Sequence, residues 1–248
     1  MVSFAAEPIV RLGFFSVTNS FLDTLLVDVI LIGAIIAIRK KISIVPKMFQ
    51  NVVEMIITGF YELTVSVAGA ERAVMIFPYF MSFFIFILLA NWSGLIPGVT
   101  SIGFYNKNHE LVPLLRAATS DFNVTFALAL ISAFATHILS IKTIGIKDYL
   151  SRYFSFNPIY MFVGFLELIS EITKVISLSF RLFGNIFAGE VVLGTISAIF
   201  AFLFPLPFLL LEVVVGLIQA LVFAMLTMSF MAILSTPHHE ESKEVSIA

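Results

Sequence analysis

Between Pro158 and Phe204 the chain contains no further proline and reads throughout as helix. At 1.5 Å per residue one helix of that length measures about 70 Å, more than twice the ~30 Å of hydrocarbon in a bilayer. Even Met161 to Val192 gives about 48 Å. Such a helix must tilt far beyond the usual ~20°, or break near a glycine such as Gly184, Gly189 or Gly194. Pro205-Leu206-Pro207 is expected to reverse the chain, and Phe208 to Leu234 to return as a second overlong helix of about 40 Å. These lengths predict a long antiparallel helical hairpin oblique to the membrane, residues 157–236.

Composition supports a membrane setting. The chain of 248 residues is 60% hydrophobic and 12% charged, with 28 phenylalanines, which places it outside ordinary soluble domains. A net charge of −2 without any basic patch interleaved with aromatics excludes a nucleic-acid partner. The absence of cysteine rules out disulfides and thiolate metal sites. Residues 1–20 lack a basic n-region, an unbroken apolar core and a cleavage site, so they are expected to stay as an outer segment.

Residues 21–156 are expected to hold three ordinary spans. Phe21 to Ile38 is stopped by Arg39-Lys40-Lys41. Ala73 to Leu89 closes in the Gly/Pro-rich exit NWSGLIPG, Asn91 to Gly98, and the third span runs from about Asp121 to Ile141. Residues 42–70 place Met48, Val52, Met55, Ile56 and Phe60 at helical spacing among Lys47, Gln50, Glu54 and Glu62, which predicts an amphipathic helix on the membrane surface. Basic residues gather after the first span (Arg39, Lys40, Lys41, Lys47) and after the third (Lys142, Lys147, Arg152), so both loops are expected to be cytoplasmic. The N-terminus and the loop Val99 to Ser120, which has only Lys107 and Arg116, then lie outside. The polar tail 237–248, carrying His238 and His239, lies in the cytoplasm.

The hairpin is not uniformly apolar. At 100° per residue, Glu167, Glu171, Lys174, Arg181 and Asn185 fall within about 80° and form one stripe, whereas Glu190 lies about 140° from Glu167. On the return helix Glu212, Gly216, Gln219, Phe223 and Thr227 share another ~80° face, suited around Gly216 to close approach of a neighbouring helix. Glu171 and Lys174 are spaced to pair at i,i+3. His137, near the inner end of the third span, reads as a hydrogen-bonded or interfacial residue, because no second ligand is spaced to join it on a metal. Asn123-Val124-Thr125 matches a glycosylation sequon but sits at a span edge, and is read as chance.

Arg181 is the group that lipid tolerates least. A guanidinium stays protonated, and a charge at the bilayer centre costs about 2.5–3.5 kcal/mol or more. The carboxylates in its own stripe, Glu171 and Glu167, lie about 15 and 21 Å away along a straight helix, too far to pair. Its partner must be water, another helix or another subunit.

The segment SLSFRLFGNIFAGE, together with Gln219 in LIQALVFAMLTMSFMA and NWSGLIPG after the second span, resembles subunit a of F-type ATP synthases in its bacterial form. The likeness covers nearly the whole chain in order. It implies an all-α integral membrane protein that acts as an ion-translocating stator, protons being the expected ion. Its implied partners are a rotating ring of c subunits, the b-subunit peripheral stalk, the remaining synthase subunits and the lipid bilayer. It implies a bacterial inner membrane and no cofactor.

Arg181 matches the essential arginine that faces the ring carboxylate and separates two offset half-channels. Asn185, Glu190 and Gln219 match residues of the outer half-channel, with Asp121 and Asn123 expected at its mouth. Glu167 and Lys174 match positions near the inner one. Glu212 departs from the pattern, since some members have histidine there, and together with Glu190 it would put two carboxylates in the outer path as coupled sites. Asp23 and Asp28 find no place in the resemblance. No GxxxxGK[ST] loop occurs, so nucleotide chemistry is expected on partner subunits.

Two other readings compete. A secondary transporter binding an anion at Arg181 requires discontinuous helices in two related halves, and the sequence shows no repeat. An intramembrane hydrolase requires a metal or carboxylate cluster, and HExxH is missing.

Overall fold

A computed structural model describes residues 8–12, 15–96, 102–105, 111–153, 158–199 and 205–236. Among them are the helices α1 (Asn19–Lys41), α2 (Met48–Ala68), α3 (Ala70–Ser93), α4 (Phe122–Ile144), α5 (Ile146–Tyr153), α6 (Pro158–Ile199) and α7 (Pro205–Leu234). All but α5 are long and apolar enough to cross a bilayer, and the chain is a multi-pass membrane protein. Two small antiparallel hairpins, β1 (Pro8–Leu12) with β2 (Phe15–Thr18) and β3 (Gly103–Tyr105) with β4 (Leu111–Pro113), were not expected from the sequence. Lys107, Pro97 and Gly98 of the exit stretch, and the tail with His238 and His239 lie outside the described residues.

Helix ends follow local chemistry. The Thr18 hydroxyl accepts the Phe21 N–H at the start of α1, and Asp121 accepts the Asn123 N–H at the start of α4. The turns α2–α3 and α4–α5 each pivot on one glycine, Gly69 and Gly145, whose φ of 78° and 83° suits a residue without a Cβ.

Two expectations need correction, and one alternative is decided. The stretch NWS is not an exit loop, because α3 continues through Ser93. Pro205-Leu206-Pro207 is not the reversing turn. It forms the first turn of α7, where a missing N–H costs nothing, and residues 200–204 between α6 and α7 lie outside the described residues. Of the two routes open to the overlong helix, α6 takes the unbroken one: its 42 residues stay helical past Gly184, Gly189 and Gly194. A straight helix of that length spans about 63 Å, so α6 and α7 run oblique to the bilayer.

Side-chain pairs fix the packing directions. Arg72 donates to the Ala232 carbonyl, Phe83 meets Phe223, and Asn91 reaches Gly216, so α3 and α7 are antiparallel. Ser132 bonds Thr227 and Ser140 bonds the Leu234 carbonyl, so α4 runs parallel to α7. Asn185 bonds Gln219 while Lys174 lies over the Phe230 ring, so α6 returns antiparallel to α7. The core between them is built from Phe80, Phe83 and Ile87 of α3, Leu128 and Ala129 of α4, Leu178 and Leu182 of α6, and Phe223, Ala224 and Met228 of α7. Helix α2 forms where expected; Phe60 folds back onto Phe80 and Phe84 of α3, while Met48, Phe49, Val52 and Met55 stay exposed.

In lipid the apolar core gains little from leaving its surroundings, so hydrogen bonds between helices and close backbone approach select the arrangement. The stretch after α3's apolar run supplies both. The Asn91 amide donates to the Gly216 carbonyl at 2.9 Å and its oxygen accepts from Thr119, while the Trp92 indole donates to the Val213 carbonyl at 3.1 Å. Asp23 is explained in the same way. Its carboxylate accepts from Ser93 at 2.7 Å and from the Ala118 N–H at 2.9 Å, joining α1, α3 and the segment before α4. Nothing in the packing accounts for Asp28, half-buried further along α1.

Replacing Asn91 by alanine strips both of its bonds and leaves the buried Thr119 hydroxyl unpaired. A loss on the order of 1–3 kcal/mol is expected, read as a lower unfolding midpoint of the purified subunit in detergent. An unchanged midpoint would show that this contact does not hold α7 to α3.

Candidate functional site

The functional side chains lie along the hairpin in two polar groups on either side of Arg181. Helix regularity sets this division. Because α6 runs without interruption from Pro158 to Ile199, the 100° step per residue holds throughout, and Glu190 stays off the face that carries Arg181.

Arg181 and Asn185 are both exposed on the outside of α6. The ion pairs among the described residues join Arg116 to Glu190, Arg152 to Glu167 and Lys174 to Glu171, with His137 approaching Glu171; Arg181 is in none of them. The two carboxylates of its own stripe are thus engaged elsewhere. Arg181 closes one end of a cavity of about 400 Å³, lined also by Ser170, Thr173, Lys174 and Ser177 of α6 and by Phe230 of α7.

One turn beyond Arg181 the outer group begins. The Asn185 amide donates to the Gln219 oxygen at 2.7 Å, while the Gln219 nitrogen is buried without a partner among the described residues. Further along, Glu212 of α7 is buried with its carboxylate against Gly189, where even a methyl group would overlap both oxygens. Gly189 thus leaves room for the acid, which a Cβ there would push aside, and Glu212 lies within electrostatic reach of Glu190. All five residues of this face on α7, Glu212, Gly216, Gln219, Phe223 and Thr227, are buried, and the close approach expected around Gly216 is made by Asn91 of α3.

Nothing in the sequence indicates how Glu190 is held. Arg116, which counted there only as a loop charge, is buried and grips the Glu190 carboxylate through Nε at 3.0 and 3.2 Å and through a terminal nitrogen at 3.0 Å. A planar fork on a carboxylate is the strong form of such a pair. The contact spans 74 positions, and no spacing rule reaches that far. Asp121 and Asn123 make a local unit instead: one Asp121 oxygen accepts both the Asn123 backbone and side-chain N–H groups as the cap of α4.

On the other side of Arg181, Lys174 donates to Glu171 at 2.7 Å, the i,i+3 pair expected from the sequence. Arg152, at the end of α5, holds Glu167 at 3.3 Å and reaches the Leu234 carbonyl. His137 is hydrogen-bonded, its Nδ1 lying 2.9 Å from the Tyr149 hydroxyl.

Comparison with known proteins finds matches along most of the chain. A family model described as ATP synthase A chain matches residues 21–232. A protein named ATP synthase subunit a from Moorella thermoacetica is 32% identical over 224 residues, covering 90% of this chain and 94% of the relative. Another of the same name from Syntrophobacter fumaroxidans is 36% identical over 213 residues, 84% of this chain and 81% of the relative.

The contact between Gly189 and Glu212 can be tested directly. Gly189→Ala forces the carboxylate aside, and Glu212→Ala in the same chain removes the overlap. The double variant is expected to be more stable than the sum of the single effects by about 0.5–3 kcal/mol, measured by thermal unfolding in detergent. Strict additivity would remove the contact.

Proposed function

The chain belongs to the ATP synthase subunit a family, and from that premise we propose how its two polar groups carry ions past Arg181. It is the proton-translocating stator subunit of the membrane Fo sector, and its partners are the other subunits of the synthase. The observation that supports the residue roles is the position of Arg181, exposed on α6 between two polar groups and in no ion pair among the described residues.

A permanent cation of this kind needs a counter-charge from outside the chain, and a carboxylate on each subunit of a c ring supplies it in turn. The exposed face of α6 bearing Arg181 and Asn185 is the track along which the ring moves. Protons enter the outer half-channel by Glu190 and Glu212 and reach the ring past Gln219 and Asn185. They leave through the cavity bounded by Lys174, with Glu167 at its inner end. Arg181 lies between the two paths, and its fixed positive charge repels a proton that would cross directly. Asp121 and Asn123, tied into the cap of α4, shape the outer mouth rather than carry protons.

Each proton crossing releases about 2.3 kcal/mol per 100 mV, so several must pass for one ATP. The subunit does no bond chemistry itself. Nucleotide turnover belongs to partner subunits, and a b-subunit stalk holds this chain against the ring. The N-terminus and the β3–β4 hairpin face outward, the C-terminus faces the cytoplasm of a bacterial inner membrane, and α2 rests on the cytoplasmic surface with its exposed apolar side in lipid. A transporter of the broken-helix type is disfavoured by the continuity of α6 and α7.

Arg181→Ala is expected to abolish ATP synthesis driven by an imposed proton gradient while the complex still assembles, since the exposed guanidinium supports no packing. Normal synthesis in fully assembled mutant vesicles would contradict the assignment. Glu190→Gln or Glu212→Gln is expected to slow proton flow without uncoupling it, by roughly tenfold, toward the low side of what a positioned acid contributes. If the double substitution left flow unchanged at every outer pH, the two-carboxylate path would fail.

A further inference from the structure

We propose that His137 passes protons between the inner cavity and the inner aqueous side, with Glu171 on one flank and Tyr149 on the other. The proposal rests on the half-channel reading above and names a carrier that neither the family motif nor the comparisons assign.

Three helices build the arrangement. From α4, His137 presents Nδ1 to the Tyr149 hydroxyl of α5 at 2.9 Å and Nε2 to the Glu171 carboxylate of α6 at 3.8 Å. The other Glu171 oxygen accepts from Lys174 at 2.7 Å, and Lys174 lines the same cavity as Arg181. A chain of polar groups therefore runs from the cavity beside Arg181 to α5. Tyr149 is half-buried, and its neighbours Lys147, Asp148, Leu150 and Ser151 are exposed, so its end of the chain meets water.

The surrounding groups leave the imidazole as the proton carrier. From α5, Arg152 is committed to Glu167, and burial pushes the Tyr153 phenol above the ordinary tyrosine range. From α6, Glu171 is held by Lys174, and Glu167 by Arg152. From α7, Phe230 brings a ring under the Lys174 ammonium, and no acid or base of α7 is seen here among the described residues. Imidazole is the side chain that ordinarily changes charge between about pH 5 and 8. The step balances without any co-reactant. The Nε2 nitrogen takes the proton delivered through the cavity, and the Glu171 carboxylate beside it offsets the charge of the imidazolium. The Nδ1 proton then leaves through the Tyr149 hydroxyl to inner water, and reorientation of the neutral ring restores the starting tautomer.

The test uses the whole complex in vesicles under a fixed membrane potential, with flow normalised to assembled complex and inner pH varied. In the parent complex, exit flow is expected to fall as the inner side is acidified, because an imidazole already protonated cannot accept. His137→Gln keeps an acceptor for the Tyr149 hydroxyl but cannot become a cation. It is expected to lower normalised flow roughly tenfold, short of a full general-acid effect because water can bypass the ring, and to flatten the inner-pH dependence. Tyr149→Phe is expected to slow flow while keeping that dependence. Parent-like flow with an unchanged inner-pH profile in His137→Gln overturns the proposal. So does a loss of assembly with normal flow per assembled complex, which would make the cluster a clasp for α5. If the parent complex conducts no protons while Arg181→Ala behaves identically, the half-channel reading fails instead.

Discussion

A guanidinium that the chain itself does not neutralise governs this structure. Lipid opposes a lone charge, and a carboxylate on the same helix face would relieve the penalty with no partner needed. The chain instead commits each nearby acid to another base: Glu171 to Lys174, Glu167 to Arg152, and Glu190 to Arg116. Arg181 stands exposed on its own face, too far along α6 from Glu171 and Glu167 to pair with either. Its counter-charge has to come from a partner, and because the pairing is intermolecular it can be made and broken repeatedly.

That device works only if the geometry around it is rigid. Unbroken helix from Pro158 to Ile199 fixes the angular offset between Arg181 and Glu190, so a water path to Glu190 and a sliding surface at Arg181 can share one helix without merging. Its partner α7 is in turn held at both ends. The Asn91 and Trp92 bonds to α7 carbonyls fasten its first half to α3, with Asp23 bridging Ser93 and Ala118 beside them, while Arg72, Ser140 and Arg152 bond to carbonyls near its far end.

Much of this was legible in the sequence because it depends on local periodicity. Apolar run lengths identified the spans and the hairpin, the 100° step separated Glu190 from Arg181, and i,i+3 spacing gave the Glu171–Lys174 pair. What stayed hidden depends on contacts between distant segments. Arg116 is one basic residue in a polar loop until the fold lays it on Glu190. Asp23 is an anomalous acid in a span until Ser93 and Ala118 reach it. NWSGLIPG looks like an exit because Gly and Pro punctuate chains, yet its first residues are the helical grip on α7. Asp121 could have been identified as a cap from its place before an apolar helix.

The two ends of the proton path differ in chemistry. At the outer end, acids sit close together, Glu190 held by Arg116 and Glu212 pressed against Gly189 near its charge. Two neighbouring carboxylates repel each other's negative charge, and the arginine fixed on one of them offsets part of that repulsion. In the proposed path this site would meet protons arriving from outside. At the other end Glu171 and Glu167 are paired with a lysine and an arginine, and the proposed exchanger is the His137 imidazole. On the proposed path the membrane potential sets the direction of flow, while the guanidinium between the two groups would force each proton onto the moving partner.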